Sequence, residues 1–132
     1  MDILFFRSSR FRQYLRENLR ILEAGDDERI RVHYARESVQ AELLGQDLQG
    51  APALFVLSDP PHLRRAPVRH GRILAVHDEG ERVEFELRLT SFASAELDCG
   101  AFDAWAQQQP ACCEQLSMVF RPDAPLALRE PS

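Results

Sequence analysis

The chain has 132 residues with 16 basic and 21 acidic side chains, a net charge of −5, and is 45% hydrophobic and 28% charged. That is room for one domain with one core, and the balance excludes wholesale disorder. The longest apolar runs, residues 3–6 and 53–57, fall far short of the ~20 residues of a membrane-crossing helix, and Asp2 and Arg7 interrupt the opening where a secretory signal would lie. The expectation is a cytoplasmic protein with no membrane partner, a single globular domain over 1–121 and an irregular tail over 122–132 marked by Pro122, Pro125 and Pro131.

Residues 3–6 read as a short apolar strand, either buried on both faces or the first strand of a barrel. A helix follows over 9–24. At 100° per residue, Phe11, Tyr14, Leu15, Leu19, Ile21 and Leu22 share one side and Arg12, Arg16 and Arg20 the other, with Ser8 or Ser9 as N-cap and Gly25 as C-terminal cap. After the Asp26-Asp27 turn, residues 28–36 alternate as a half-buried strand, Ile30, Val32 and Tyr34 inward and Arg29, Arg31 and His33 outward. Residues 39–44 are ambiguous, readable as one helical turn, and 45–52 form a polar loop. Residues 53–58 read as a central strand and 60–67 as a loop, because each proline there removes a backbone donor.

The clearest supersecondary signal spans 68–91. A strand over 68–77, a turn at Asp78-Glu79-Gly80 and a strictly alternating strand over 81–90 make a hairpin with Val83, Phe85, Leu87 and Leu89 facing the core. Two short helices around Phe102, Trp105 and Pro110 follow, and 117–121 is either helical or a closing strand. This order predicts an α+β domain: a bent antiparallel sheet or small open β-barrel of about five strands, with an N-terminal amphipathic helix and short C-terminal helices. The early strand and helix, the turn into "ERIRVHY" (28–34) and the later "PVRHGRILAVHDEGERVEF" (67–85) resemble the PUA, ASCH and EVE-like superfamily of small barrels over residues 1–92. That resemblance implies binding of RNA or modified nucleotides.

Cys99, Cys112 and Cys113 are odd in number and irregular in spacing, which predicts no disulfide framework. No pair among them and His33, His62, His70 and His77 has zinc-ligand spacing. No metal or cofactor is expected. Phosphate-loop, dinucleotide, nucleophile-elbow and metalloprotease motifs are absent, so an enzyme reading rests on a composite site: His33 beside Tyr34, His70, or His77 with Asp78, placed near a carboxylate by folding.

Positive charge is the better lead. Every basic residue is arginine, and residues 1–72 hold 12 arginines against 10 acids whereas 73–132 hold 4 against 11. Residues 60–77 carry four arginines and three histidines without an acid. Arg64, Arg65, Arg69, His70 and Arg72, extended by Arg29, Arg31 and His33, are the candidate ligand-binding set, and Arg12, Arg16 and Arg20 form a second basic ridge. These residues predict a noncatalytic recognition module for an anionic ligand, first of all RNA or single-stranded DNA. The alternative is a protein-interaction subunit of a larger cytoplasmic assembly, drawn together by the charge asymmetry. For either basic set the bland alternative is a solvated face balanced by neighbouring acids.

Overall fold

The computed structural model describes residues 3–8, 15–58, 65–98 and 117–121. In chain order these form β1 (Ile3–Ser8), α1 (Leu15–Glu23), β2 (Arg29–Ala35), a 3-10 turn (Arg36–Ser38), α2 (Ala41–Leu44), β3 (Pro52–Ser58), β4 (Arg65–Asp78), β5 (Arg82–Asp98) and β6 (Ser117–Phe120). The strands make one six-stranded sheet in the order β2-β5-β4-β3-β1-β6. Every neighbouring pair is antiparallel except β1 and β3, which run parallel from Ile3 opposite Ala53 to Ser8 opposite Ser58.

This overturns the expected fold class. The molecule is mostly β, its sheet is mixed rather than antiparallel, and the only helices among the described residues are the nine-residue α1 and the four-residue α2. The parallel pair arises because the chain leaves β1, crosses through α1 to the far edge at β2, and returns as β3; two parallel neighbours cannot be joined by a hairpin. The expected C-terminal helices with Phe102 and Trp105, the tail, and the opening of the expected first helix lie outside the described residues. Of the two readings of 117–121, the strand holds: β6 pairs with β1, Leu4 opposite Phe120.

Alternation along the strands builds the core. Ile3 and Phe5 of β1, Ile30, Val32 and Tyr34 of β2, Ala53 and Phe55 of β3, Ile73 of β4 and Val83, Phe85, Leu87 and Leu89 of β5 are all buried in one cluster. Phe5 sits at its centre, stacked on Phe55 at 5.2 Å between ring centroids and edge-on to Phe85 at 5.0 Å. Leu4, Phe6, Leu54, Val56, Met118 and Phe120 are buried too but lie outside that cluster, so β1, β3 and β6 have two buried faces. On β2, β5 and β4 the other face is the one that carries charge.

The sheet curls until its edges touch at one point without closing. Val39, just beyond β2, forms an isolated parallel bridge with Val119 of β6, and the Gln40 N–H donates to the Val119 carbonyl at 2.8 Å. The Arg121 N–H then donates to Gln40 Oε1 at 2.9 Å.

The hairpin register matches the alternation, but both arms are longer than the sequence suggests. β4 begins at Arg65, inside the expected loop, and β5 runs on to Asp98. Pro67 is accommodated because the ladder shifts register between Pro67 and Arg69, and a bulge is where a strand tolerates a missing donor. At the turn, Gly80 has φ 91° and its N–H donates to Asp78 Oδ1 at 2.9 Å. In α1 the expected apolar stripe is only partly right. Ile21 and Asn18 are buried, whereas Leu19 is 44% exposed and shares the outer face with Arg16 and Arg20.

Candidate functional site

Three polar constellations grow out of this frame. The first consists of two buried arginines that hold α1 to the sheet. Arg7 continues the inward alternation of Ile3 and Phe5 and is 0% exposed. Its guanidinium lies 4.2 Å from the centre of the Tyr34 ring, with Nη1 3.1 Å from Glu17 Oε1 and 3.4 Å from Asn18 Oδ1, and Nη2 donating to the His33 carbonyl. Arg69 has the same inward parity as Ile73 and is 2% exposed. Its Nη1 donates to the Ile21 carbonyl at 2.8 Å, satisfying an acceptor in the last turn of α1, and Nη2 stands 3.6 Å from Asp26. Burial holds the Tyr34 phenol well above the ordinary tyrosine value, and the Arg7 charge beside it offsets only part of that rise.

The second constellation surrounds His33, 18% exposed on the edge strand β2. Its backbone N–H and Nδ1 both meet Glu17 of α1, at 2.8 Å to Oε1 and 2.6 Å to Oε2. Nε2 faces Glu84 Oε2 at 3.0 Å and Glu79 Oε1 at 3.8 Å. His33 therefore meets the condition set for a composite catalytic site, a histidine within hydrogen-bond reach of a carboxylate. Both of its ring nitrogens, however, face carboxylate oxygens of the protein itself, so neither is turned toward a substrate. Glu17 and the Arg7 guanidinium also satisfy the outward N–H and C=O of His33, so they blunt an otherwise open sheet edge.

The third is a row of arginines across the outer sheet face. Arg29 of β2 is directly opposite Arg88 of β5, and Arg88 is directly opposite Arg72 of β4. Arg29 and Arg72 are exposed and Arg88 is half-buried. None of the three has a carboxylate partner among the described residues; Arg72 donates only to the Gly50 carbonyl at 3.1 Å, and the Nε of Arg88 is buried without a hydrogen bond. Like charges directly opposite one another in a sheet are destabilising, so this row costs stability in the free protein. Gly71 makes the close approach possible, since a Cβ there would stand 3.1 Å from the Arg88 carbonyl oxygen.

Other basic residues are neutralised locally. Arg20 pairs with Glu28 at 2.9 Å, and that contact, with the Gly25 N–H, holds the Glu28 carboxyl below its usual value. Arg36 pairs with Asp78, whose carboxyl is lowered first by the Gly80 N–H and then by Arg36. Arg31 is 3.7 Å from Glu84.

The structure thus divides the sequence-derived set. Arg29 and Arg72 come together, Arg31 and His33 lie on the same face but belong to the acidic neighbourhood of Glu84, and Arg69 is turned inward to α1. His70 is half-buried on β4, and the Arg65 backbone begins that strand. Arg12 and Arg64 lie outside the described residues, while Arg16 and Arg20 are exposed on α1. Sequence reasoning misses Arg88, which reads as an ordinary outward residue of the hairpin, and Glu17, Glu79 and Glu84 as companions of His33. The alternation that points Arg88 outward already places it between the outward arginines of its two neighbours, but only the register shows that the three are level.

Comparison with known proteins finds no matching family model, no curated protein of similar sequence and no solved structure of similar fold. The resemblance to the PUA-like barrels therefore gains no relative to support it, and function must be argued from these constellations.

Proposed function

We propose that this protein is a noncatalytic recognition module that binds an anionic ligand, single-stranded RNA or DNA, across the outer face of β2, β5 and β4. The observation that carries this reading is the level row Arg29, Arg88 and Arg72, three guanidinium groups on three adjacent strands with no carboxylate partner among the described residues. Each offers a planar fork suited to phosphate oxygens, and the rigid ladder beneath them fixes their spacing before a ligand arrives. Neutralisation by phosphate removes the like-charge repulsion that the free protein bears, which converts a stability cost into binding free energy. The net charge of −5 means that such binding is local to this face rather than a general attraction along the whole surface.

Fluorescence anisotropy of labelled single-stranded RNA and DNA, at two salt concentrations, tests the reading. Three phosphate contacts on a single strand give a log–log salt slope of about −2, so affinity falls about twentyfold between roughly 50 mM and 200 mM salt. Failure to bind either probe at the lower salt removes the proposal.

A further inference from the structure

We propose that His33, Glu79 and Glu84 form a binding site for one divalent transition-metal ion of the zinc class. The three residues come from β2, the β4–β5 turn and β5, and their ligand atoms lie within 4.8 Å of one another. His33 Nε2 is 3.0 Å from Glu84 Oε2 and 3.8 Å from Glu79 Oε1. Nitrogen and oxygen ligands at about 2.1 Å from a tetrahedral centre are about 3.4 Å from each other, so these atoms already stand near coordination spacing.

The chemistry of the ring calls for a cation at this point. Glu17 Oε2 engages Nδ1 at 2.6 Å, so the other ring nitrogen, Nε2, is the one that faces two carboxylate oxygens, those of Glu84 and Glu79. A proton on Nε2 answers one of those oxygens; a metal ion answers the nitrogen and both oxygens together. The other oxygen of each carboxylate is held elsewhere: Glu84 Oε1 stands 3.7 Å from Arg31 Nε, Glu79 Oε2 3.1 Å from Arg82 Nε, and Glu17 Oε1 3.1 Å from Arg7 Nη1. Each acid therefore presents a single oriented oxygen to the imidazole. A carboxylate behind the far nitrogen of a metal-bound histidine fixes the ring and raises its basicity, and Glu17 occupies that position. One imidazole with two carboxylates favours zinc over magnesium or calcium, which take oxygen ligands almost exclusively. The site lies two rows along the strands from Arg29, Arg88 and Arg72, so the two proposals stand or fall separately.

Calorimetric titration of the full chain with Zn²⁺, with visible absorption of the Co²⁺ form, tests the inference in wild type, His33→Asn and Glu79→Gln. Wild type binds one Zn²⁺ at this site and gives the Co²⁺ bands of a tetrahedral nitrogen and oxygen set. Both variants weaken that binding about tenfold or more. Glu79 lies in the exposed turn, so Glu79→Gln tests the site even if His33→Asn does not fold. Cys99, Cys112 and Cys113 are present in every variant, so any thiol-held zinc persists and the difference reports on this cluster. Equal stoichiometry and affinity in all three proteins overturns the inference, as does a wild type that takes up no Zn²⁺ at micromolar concentration. Nitrogen-15 NMR reads the imidazole directly: zinc displaces the Nε2 resonance of His33 if the inference holds, whereas a ring protonated at both nitrogens and indifferent to zinc overturns it and marks an ion-pair clamp instead.

Discussion

Arg7 is fully buried, and its stability depends on what surrounds it: the Glu17 carboxylate, the Asn18 amide, the His33 carbonyl and the Tyr34 ring. Removing one partner of a buried pair costs more than the pair contributes, because the remaining charge is left in a low dielectric. Glu17→Ala is therefore expected to destabilise the fold by about 3 kcal/mol, the low end for such pairs because Glu17 keeps some solvent contact. Arg7→Met combined with Glu17→Leu is expected to cost much less than the sum of the single changes, a coupling that urea denaturation of the four proteins measures. Tyr34 shapes the alkaline side of the stability profile. Its folded phenol stays protonated above about pH 10, where an unfolded tyrosine ionises, so the folded state binds more protons there and stability falls as pH rises. Tyr34→Phe is expected to flatten that decline at a cost near neutrality of about 1 kcal/mol, the worth of one hydrogen bond. On the acid side the sign is opposite: the lowered carboxyls of Glu28 and Asp78 contribute stability above about pH 4, and it is lost as pH falls through their folded values.

Among the elements, the β4–β5 hairpin does most to position the proposed site. Val83, Phe85, Leu87 and Leu89 are fully buried, each worth about 1.5–3 kcal/mol, and their burial locks the outward register of Glu84, Glu86 and Arg88. Gly71→Ala is expected to push on the Arg88 carbonyl, destabilising the protein by roughly 1–3 kcal/mol and weakening nucleic-acid binding along with it. Parallel thermal melts and anisotropy titrations check both effects. This hairpin is legible in the sequence because its alternation is unbroken from Val83 to Leu89 and Gly80 marks its turn. Its true ends are not legible: Pro67 signals a loop unless a bulge is known to absorb it, and Ser91-Phe92 breaks the alternation, which resumes over 93–98 with only the small Ala93 and Ala95 before Leu97. Arg69, a ligand-binding candidate by its place in the acid-free basic run, is buried against α1; its parity with Ile73 is visible in the sequence, but a basic run hides what a single shared parity would suggest. The four-residue α2 matches the single helical turn readable in 39–44, whereas Leu19 breaks the expected stripe of α1 because the helix buries Asn18 in its place against Arg7.

At the scale of the molecule, mixed pairing cannot be read from the chain, since parallel and antiparallel neighbours of β1 share the same apolar pattern. The consequence of that topology is functional. By placing β2, β5 and β4 side by side with one face outward, it brings together arginines that are 16 and 43 residues apart in sequence, from Arg72 to Arg88 and from Arg29 to Arg72. Arg88, from the acidic part of the sequence, thus stands level with Arg29 and Arg72 from the basic part and completes the row. No helix among the described residues is long and apolar enough to cross a membrane. Charge reversal at Arg29, Arg72 and Arg88 is the most direct test of the arginine row as a binding surface, measured as anisotropy of labelled single-stranded RNA across a salt series. The prediction is that wild type binds with a slope of about −2, that each single reversal weakens binding and flattens the slope by about 0.7, and that the triple reversal abolishes it with the fold intact by circular dichroism. Binding that survives the triple reversal with an unchanged salt slope would contradict it.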